Sequence, residues 1–251
     1  MAVSPWILAP TTRATLHAKN RLFCLPYAGG GASIYRTWAY YLPPEVEVCP
    51  IQLPGREGRF SEQPYKRIEP LIQDLIPVLL PYMDRPFQIF GHSMGALITL
   101  QLVRELRRQG LQPPTQLFVS ARPAPQLPRR RKLLYTQPDD EFKNTLKTLG
   151  GTPEAVLQNA ELMELFLPLI RADFELVETF SYKEEAPLAI PIASFGSNDD
   201  PDVNAEEVLA WETHTSRTFS SKMFPGNHFY LHTHQELLLA TIKQYYDLYH
   251  L

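Results

Sequence analysis

The chain has 251 residues, 44% of them hydrophobic, with 24 Lys and Arg set against 27 Asp and Glu for a formal net charge of −3. That length and apolar content can bury one substantial core, so a single α/β domain over residues 1–251 suffices. The slight acidity excludes a nucleic-acid protein, which needs a basic face, and no apolar run approaches the ~18–20 residues of a membrane span.

Residues 1–20 read as a loose leader that packs its Trp6 against the body. Without a basic n-region or an unbroken apolar stretch, this leader is not a signal peptide, and a cytoplasmic protein is expected. Arg21–Leu25 is a first buried strand, broken by Pro26-Tyr27-Ala28-Gly29-Gly30-Gly31. A helix over about Ser33–Tyr41 leads to a second strand, Val46–Leu53, and the turn Pro54-Gly55-Arg56. Cys24 and Cys49 fall inside these two strand-like runs, where a small hydrophobe is the usual meaning. The expectation is two buried, inert thiols. Neighbouring strands would also permit one disulfide, but so few cysteines in a chain without a leader point to a reducing compartment.

A helix over about Ile68–Tyr82 is followed by the strand Phe87–Phe90, the pentapeptide Gly91-His92-Ser93-Met94-Gly95, and a second helix that ends at Gly110. Gln116–Ser120 is the next strand. The alternation then stops between about residues 122 and 187, where three helices are expected: Asp139–Leu149, Pro153–Gln158 and Ala160–Tyr182. The last is apolar nearly all round, so it must be buried on two sides. Its faces serve the core, a lid lining an acyl channel above Ser93, or both. Strand Ile190–Phe195, a helix over about Asn204–Thr213, strand Arg217–Phe224, the turn Pro225-Gly226-Asn227-His228 and a helix Thr233–Tyr249 complete the chain. Strands that are almost continuous apolar runs, alternating with helices, indicate a mostly parallel sheet covered on both faces.

The Gly91–Gly95 pentapeptide carries the chemistry. G-x-S-x-G between a strand and a helix is a nucleophile elbow: the serine sits on a strained turn, and glycines two positions to either side let neighbouring backbone pass. The following helix start offers free N–H groups and a positive dipole end to an oxyanion. Serine needs a base to take its proton, and the base needs an acid to fix its tautomer. In this arrangement they follow in the order Ser, Asp or Glu, His, on loops after later strands. His228 lies in the turn past the last strand, and Asp200 in the polar loop past the penultimate one. The rival acids Asp199 and Asp202 suit loop or helix capping better, and His92 would point away from its neighbour Ser93. A metal site built on His228, His232 and His234 has no usual zinc spacing, so no metal is expected. Backbone N–H groups of Ala28 and Met94 are the oxyanion donors. The glycine run at 29–31 lacks both G-x-G-x-x-G with its downstream acid and G-K-[ST], which argues against a phosphate loop.

The segments Leu25-Pro26-Tyr27-Ala28-Gly29-Gly30-Gly31-Ala32-Ser33, Leu53-Pro54-Gly55-Arg56-Glu57, Gly91-His92-Ser93-Met94-Gly95, Arg171-Ala172-Asp173-Phe174 and Gly226-Asn227-His228-Phe229-Tyr230-Leu231 together resemble the stand-alone type II thioesterases of nonribosomal peptide and polyketide synthases. The resemblance runs from about Arg21 onward; Asn227 departs from it, standing where many relatives carry a second glycine. It implies an α/β-hydrolase fold with a helical lid at about 122–187, and it places Ser93, Asp200 and His228 on the catalytic positions. It also implies hydrolysis of acyl thioesters from the phosphopantetheine arm of carrier proteins, in an editing role and without a cofactor. The alternatives are an acyl-chain-terminating thioesterase of fatty-acid synthesis or a general carboxylesterase. A monomer is expected. The run Arg129-Arg130-Arg131-Lys132 is either a solvated face or a steering patch for an acidic carrier protein.

Overall fold

The computed structural model describes residues 4–8, 18–151 and 154–249. Among them, six strands form one sheet: β1 (Asn20–Leu25), β2 (Val46–Pro50), β3 (Phe87–His92), β4 (Gln116–Ser120), β5 (Ile192–Ser197) and β6 (Phe219–Phe224). Their order is β2-β1-β3-β4-β5-β6. Every pairing is parallel, with register such as Leu25 beside Gly91 and His92 beside Ser120. β1, β3, β4 and β5 are buried along their whole length, as the uninterrupted apolar runs require of strands covered on both faces.

Alternation of side chains divides the core. Phe23, Leu25, Ile89, Leu117 and Val119 point to the face covered by α1 (Ile68–Leu79) and α2 (Met94–Arg108). Leu22, Cys24, Phe90, Phe118 and Phe195 point to the other, against Tyr35, Trp38 and α8 (Gln235–Tyr249). The two cysteines fall on opposite faces, so strand adjacency gives no disulfide; both are free and buried.

Between β4 and β5 lie α3 (Asp139–Leu149), α4 (Glu154–Leu157) and α5 (Ala160–Glu178). The start expected at Pro153 lies outside the described residues. α5 uses its all-round apolarity on different faces. Leu176 joins the core above the sheet, whereas Met163, Leu167 and Ile170 form a separate cluster with Phe142 and Leu146 of α3.

Several expected helices are shorter or broken. Ser33–Tyr41 is two 3₁₀ turns, Ala32–Tyr35 and Trp38–Tyr40, which drive Tyr35 and Trp38 into the core. α1 ends at Leu79, with Leu80–Tyr82 a 3₁₀ turn around Pro81, because proline lacks the N–H that would continue the ladder. α5 stops at Glu178 rather than Tyr182. The 204–213 helix is α6 (Ala205–Leu209) continued by 3₁₀ turns over Ala210–His214. The terminal helix α8 begins at Gln235 rather than Thr233, preceded by the one-turn α7 (Tyr230–Thr233). Trp6 does pack down, under the Arg59 guanidinium at 4.0 Å from its ring centroid. None of the described helices is long and apolar enough to cross a membrane.

Candidate active site

Strand order places the site. β1 leads outward to β2 on one side, while β3 returns to pair with the other side of β1, so the chain diverges at the carboxyl ends of β1 and β3. A crevice opens at such a switch point. The Tyr27–Gly31 loop leaves β1 there, and Ser93 leaves β3.

Ser93 has φ 54°, ψ −108° and sits directly before Met94, the first residue of α2. A non-glycine residue in this region is strained. The turn is held by the Ser93 N–H, which donates to the Ser120 carbonyl at 2.8 Å. It is also held by close backbone passage: a Cβ on Gly91 would stand 2.2 Å from the Gly95 carbonyl oxygen, and one on Gly95 would stand 2.2 Å from that of Leu25. The elbow glycines are thus required by contact with neighbouring chain rather than by their own dihedrals.

His228 and Asp200, on the loops after β6 and β5, are joined by a 2.7 Å bond from Nδ1 to Oδ2. The other Asp200 oxygen accepts the Asp202 N–H at 2.8 Å, and the carboxylate is fully buried. Bonding to the carboxylate puts the proton on Nδ1 and leaves the lone pair on Nε2. Of the rival acids, Asp202 pairs with Arg131, and it is Asp200 rather than Asp199 whose carboxylate meets the His228 ring.

His92 does point away from Ser93. Its Nε2 lies 2.9 Å from the His228 carbonyl oxygen and its Nδ1 2.9 Å from Ser120 Oγ, which in turn lies 2.5 Å from Tyr230 Oη. Burial, reinforced by the neighbouring His228, holds the His92 pKa well below its ordinary value. A neutral ring facing a carbonyl must donate from Nε2, so Ser120 donates to Nδ1 and Tyr230 donates to Ser120. Ser120 therefore grips the Ser93 backbone with its carbonyl and the His228 backbone through His92. Sequence reasoning did not find Ser120 or Tyr230 in this role: Ser120 stands in no motif, and Tyr230 lies in the Gly226–Leu231 segment without any local sign of its partner across the sheet.

Tyr27 O accepts the Gly30 N–H at 2.9 Å, closing a turn with Gly29 at φ 79°. The Gly29 N–H donates to Asp173 Oδ2 at 2.7 Å. The Ala28 N–H takes part in neither bond. Asp173, on α5, also forms a forked pair with Arg56: Nη1 to Oδ2 at 2.9 Å and Nη2 to Oδ1 at 2.8 Å. Both side chains are buried to within 3%. Removing one partner of such a buried pair costs about 3–5 kcal/mol.

Tyr27, Ala28, Ser93, Met94 and His228 line one cavity of about 510 Å³, within the range of small-molecule sites. Ile170, Phe174 and Val177 of α5 form part of its wall. So does Arg122, whose Nε is buried without a hydrogen-bond partner among the described residues. Burial lowers its pKa to about 10. It follows Ala121, which has φ 52°. Within the 129–132 run, Arg129 donates to the Glu178 carbonyl, Arg130 pairs with Glu207 and Arg131 with Asp202, while the run stays exposed to solvent, with Arg129, Arg130 and Arg131 bordering the cavity. No group of three or more His, Cys, Asp or Glu among the described residues is arranged to hold a metal.

A parallel sheet with a strained serine at the turn from its third strand into a helix, and a later Asp–His pair beside the same cavity, is an α/β-hydrolase fold. Within that class, the chain belongs to the thioesterase domain family, whose model matches residues 20–246. It is 44% identical over 246 residues to linear gramicidin dehydrogenase LgrE of Brevibacillus parabrevis, covering 96% of this chain and 93% of that protein. It is 43% identical to the gramicidin S biosynthesis protein GrsT of Aneurinibacillus migulanus, over 92% and 89% of the respective chains. Among solved structures, the RedJ thioesterase of the prodiginine pathway in Streptomyces coelicolor superposes with a TM-score of 0.85 at 37% identity, covering 91% of this chain and 86% of that one. The type II thioesterase BorB of the borrelidin cluster matches with the same TM-score and identity, over 97% and 98%.

Proposed function

We propose that this thioesterase hydrolyses acyl thioesters from the phosphopantetheine arm of carrier proteins, clearing aberrant acyl groups from a nonribosomal peptide or polyketide synthase. The observation that carries the reading is the strained Ser93 at the sheet's switch point, sharing a cavity with His228, whose Nδ1 is bonded to Asp200. Ser93 Oγ attacks the thioester carbonyl while His228 Nε2 takes its proton. The Ala28 and Met94 N–H groups receive the oxyanion, each such donor being worth about 10²–10³ in rate. The tetrahedral intermediate collapses by breaking the carbon–sulfur bond, and the thiolate leaves with the proton from His228. Water, deprotonated by His228, then attacks the acyl-serine and releases the acid and Ser93.

The type II thioesterases and antibiotic-pathway proteins among the relatives support a synthase partner, and no cofactor is invoked in these steps. LgrE is named as a dehydrogenase. That activity is not carried over, because the glycine run at 29–31 has neither the spacing nor the downstream acid of a dinucleotide fingerprint. Mass spectrometry of a carrier protein loaded with acetyl or long acyl groups tests the proposal. Wild type should release the acyl group, with simple esters turned over more slowly, and Ser93→Ala should release nothing while keeping its fold. Faster turnover of simple esters would favour a general carboxylesterase, and release by Ser93→Ala would remove the nucleophile assigned here.

A further inference from the structure

Two of the sequence segments singled out above, Leu53-Pro54-Gly55-Arg56-Glu57 and Arg171-Ala172-Asp173-Phe174, supply no reacting group, yet the fold buries Arg56 of one against Asp173 of the other beside the site. We propose that the Arg56–Asp173 pair is a positioning device for the Ala28 amide, making oxyanion stabilisation conditional on α5 being seated over the cavity. This rests on the reading of Ala28 as an oxyanion donor.

The turn Tyr27–Gly30 is gripped from both polarities. Asp173 Oδ2 accepts the Gly29 N–H at 2.7 Å, and Arg56 Nη1 donates to the Gly30 carbonyl at 3.0 Å while also donating to the same Asp173 oxygen. The anchored turn also sends the Gly30 N–H to the Tyr27 carbonyl at 2.9 Å, and that carbonyl shares one planar peptide unit with the Ala28 N–H, so holding Gly29 and Gly30 holds the direction of the Ala28 N–H. Arg56 is itself held: its Nε donates to Pro54 O, and its carbonyl accepts from Gln52 Nε2, whose Oε1 takes the Ala32 N–H at the far end of the glycine run. Apolar contact follows the same path. A Cβ on Gly29 would meet Ile170 Cγ1 at 3.2 Å, and one on Gly55 would meet Leu169 Cδ1 at 3.2 Å, so α5 packs onto both loops next to Asp173.

Asp173 is the member contributed by the helical segment between β4 and β5. Its helix, α5, also contributes Ile170, Phe174 and Val177 to the cavity wall. Lifting α5 to admit or release an acyl group would withdraw the carboxylate from Gly29 and leave Arg56 without its counter-ion. The turn would then lose the bond that fixes it, and Ser93 would face the thioester carbonyl with one amide donor misaligned. Chemistry is thereby confined to the arrangement in which α5 is seated over the cavity.

The test separates positioning from structural support. Asp173→Asn keeps the shape and removes the charge, Arg56→Lys keeps the charge and removes the fork, and the pair Arg56→Met with Asp173→Leu replaces a buried ion pair by apolar groups, which commonly restores stability. On a short acyl thioester of a small thiol, each is expected to lower kcat about 10²-fold with KM within about threefold, the scale of one oxyanion donor. Inhibition by an alkylboronate, which forms a tetrahedral anion on Ser93, should weaken by the same factor as kcat. The double variant should recover Tm without recovering kcat. Recovery of kcat together with Tm, or wild-type kcat in whichever of these variants folds, or unchanged boronate affinity beside a lowered kcat, would each overturn the assignment. Ser93→Ala, run in parallel, distinguishes this failure from failure of the proposed function: an inactive Ser93→Ala beside a fully active Asp173→Asn rejects only the positioning role.

Discussion

Gly95→Ala probes whether the elbow depends on the close passage of two chain segments. The added Cβ would stand 2.2 Å from the Leu25 carbonyl oxygen and 2.9 Å from that of Pro26. A carbon and an oxygen settle at about 3.3 Å, so the start of α2 and the end of β1 must separate by about 1 Å. That movement cannot be absorbed by a flexible side chain, because both partners are backbone and the Leu25 carbonyl is also tied to Tyr35 Oη at 2.7 Å. It falls between the two amides assigned to the oxyanion, Met94 at the start of α2 and Ala28 two residues past Pro26. A 1 Å misplacement of such groups costs on the order of 10²-fold in rate. Overpacking costs about 1–3 kcal/mol, and replacing a helical glycine by alanine returns up to about 1 kcal/mol. The fold should therefore survive with Tm lowered by a few degrees, at roughly 2–4 °C per kcal/mol for a chain of this class. Steady-state kinetics on an acyl thioester should show kcat/KM down about 10²-fold. Gly58→Ala, where nothing lies within 4 Å of the new methyl group, should be silent in both measurements. A Gly95→Ala enzyme within threefold of wild type would refute the reasoning, since it would mean that the amides tolerate a displacement as large as a bond length.

Acid should weaken the fold through its buried imidazoles. Burial, aided by Arg104, holds His214 down to about 4 from an ordinary 6.5. The unfolded chain therefore takes up a proton that the folded chain refuses: stability is fully present above about pH 6.5 and is lost on the way down to about pH 4. At about 1.4 kcal/mol per pH unit, His214 accounts for roughly 2 kcal/mol between pH 6.5 and pH 5. Urea unfolding at pH 7 and pH 5 should show His214→Gln losing that much less than wild type; equal losses would contradict it. Asp200→Asn should leave the fold intact and cut kcat by orders of magnitude, because the amide favours the wrong His228 tautomer; retained kcat would remove Asp200 from its role. Burial raises the pKa of both cysteine thiols, so alkylation of the native protein should add nothing by mass spectrometry and of the unfolded protein two groups. Labelling of the native chain would show that one of them is reachable.

The parallel sheet, its six strands, the elbow and the order Ser93, Asp200, His228 were legible in the sequence, because each rests on local signals: apolar runs with the period of a buried strand, glycines at fixed offsets, and polar loops just past strand ends. Local signals failed where tertiary packing set the backbone. Residues 33–41 carry an amphipathic pattern, but seating Tyr35 and Trp38 against Phe90 tightens them into 3₁₀ turns.

The sequence by itself determined which chemical groups are present and in what order they leave the sheet, since strand ends and glycine turns are written in neighbouring residues. Only the tertiary structure decided what surrounds them. The grip of Ser120 on both the Ser93 and His228 backbones, the meeting of Arg56 with Asp173 across more than a hundred residues, and the pairing of Arg130 with Glu207 all join positions far apart in the chain. No periodicity or spacing encodes such pairings, because they depend on how elements stack after the chain has crossed over, and a side chain's partner is then set by distance in space rather than along the sequence.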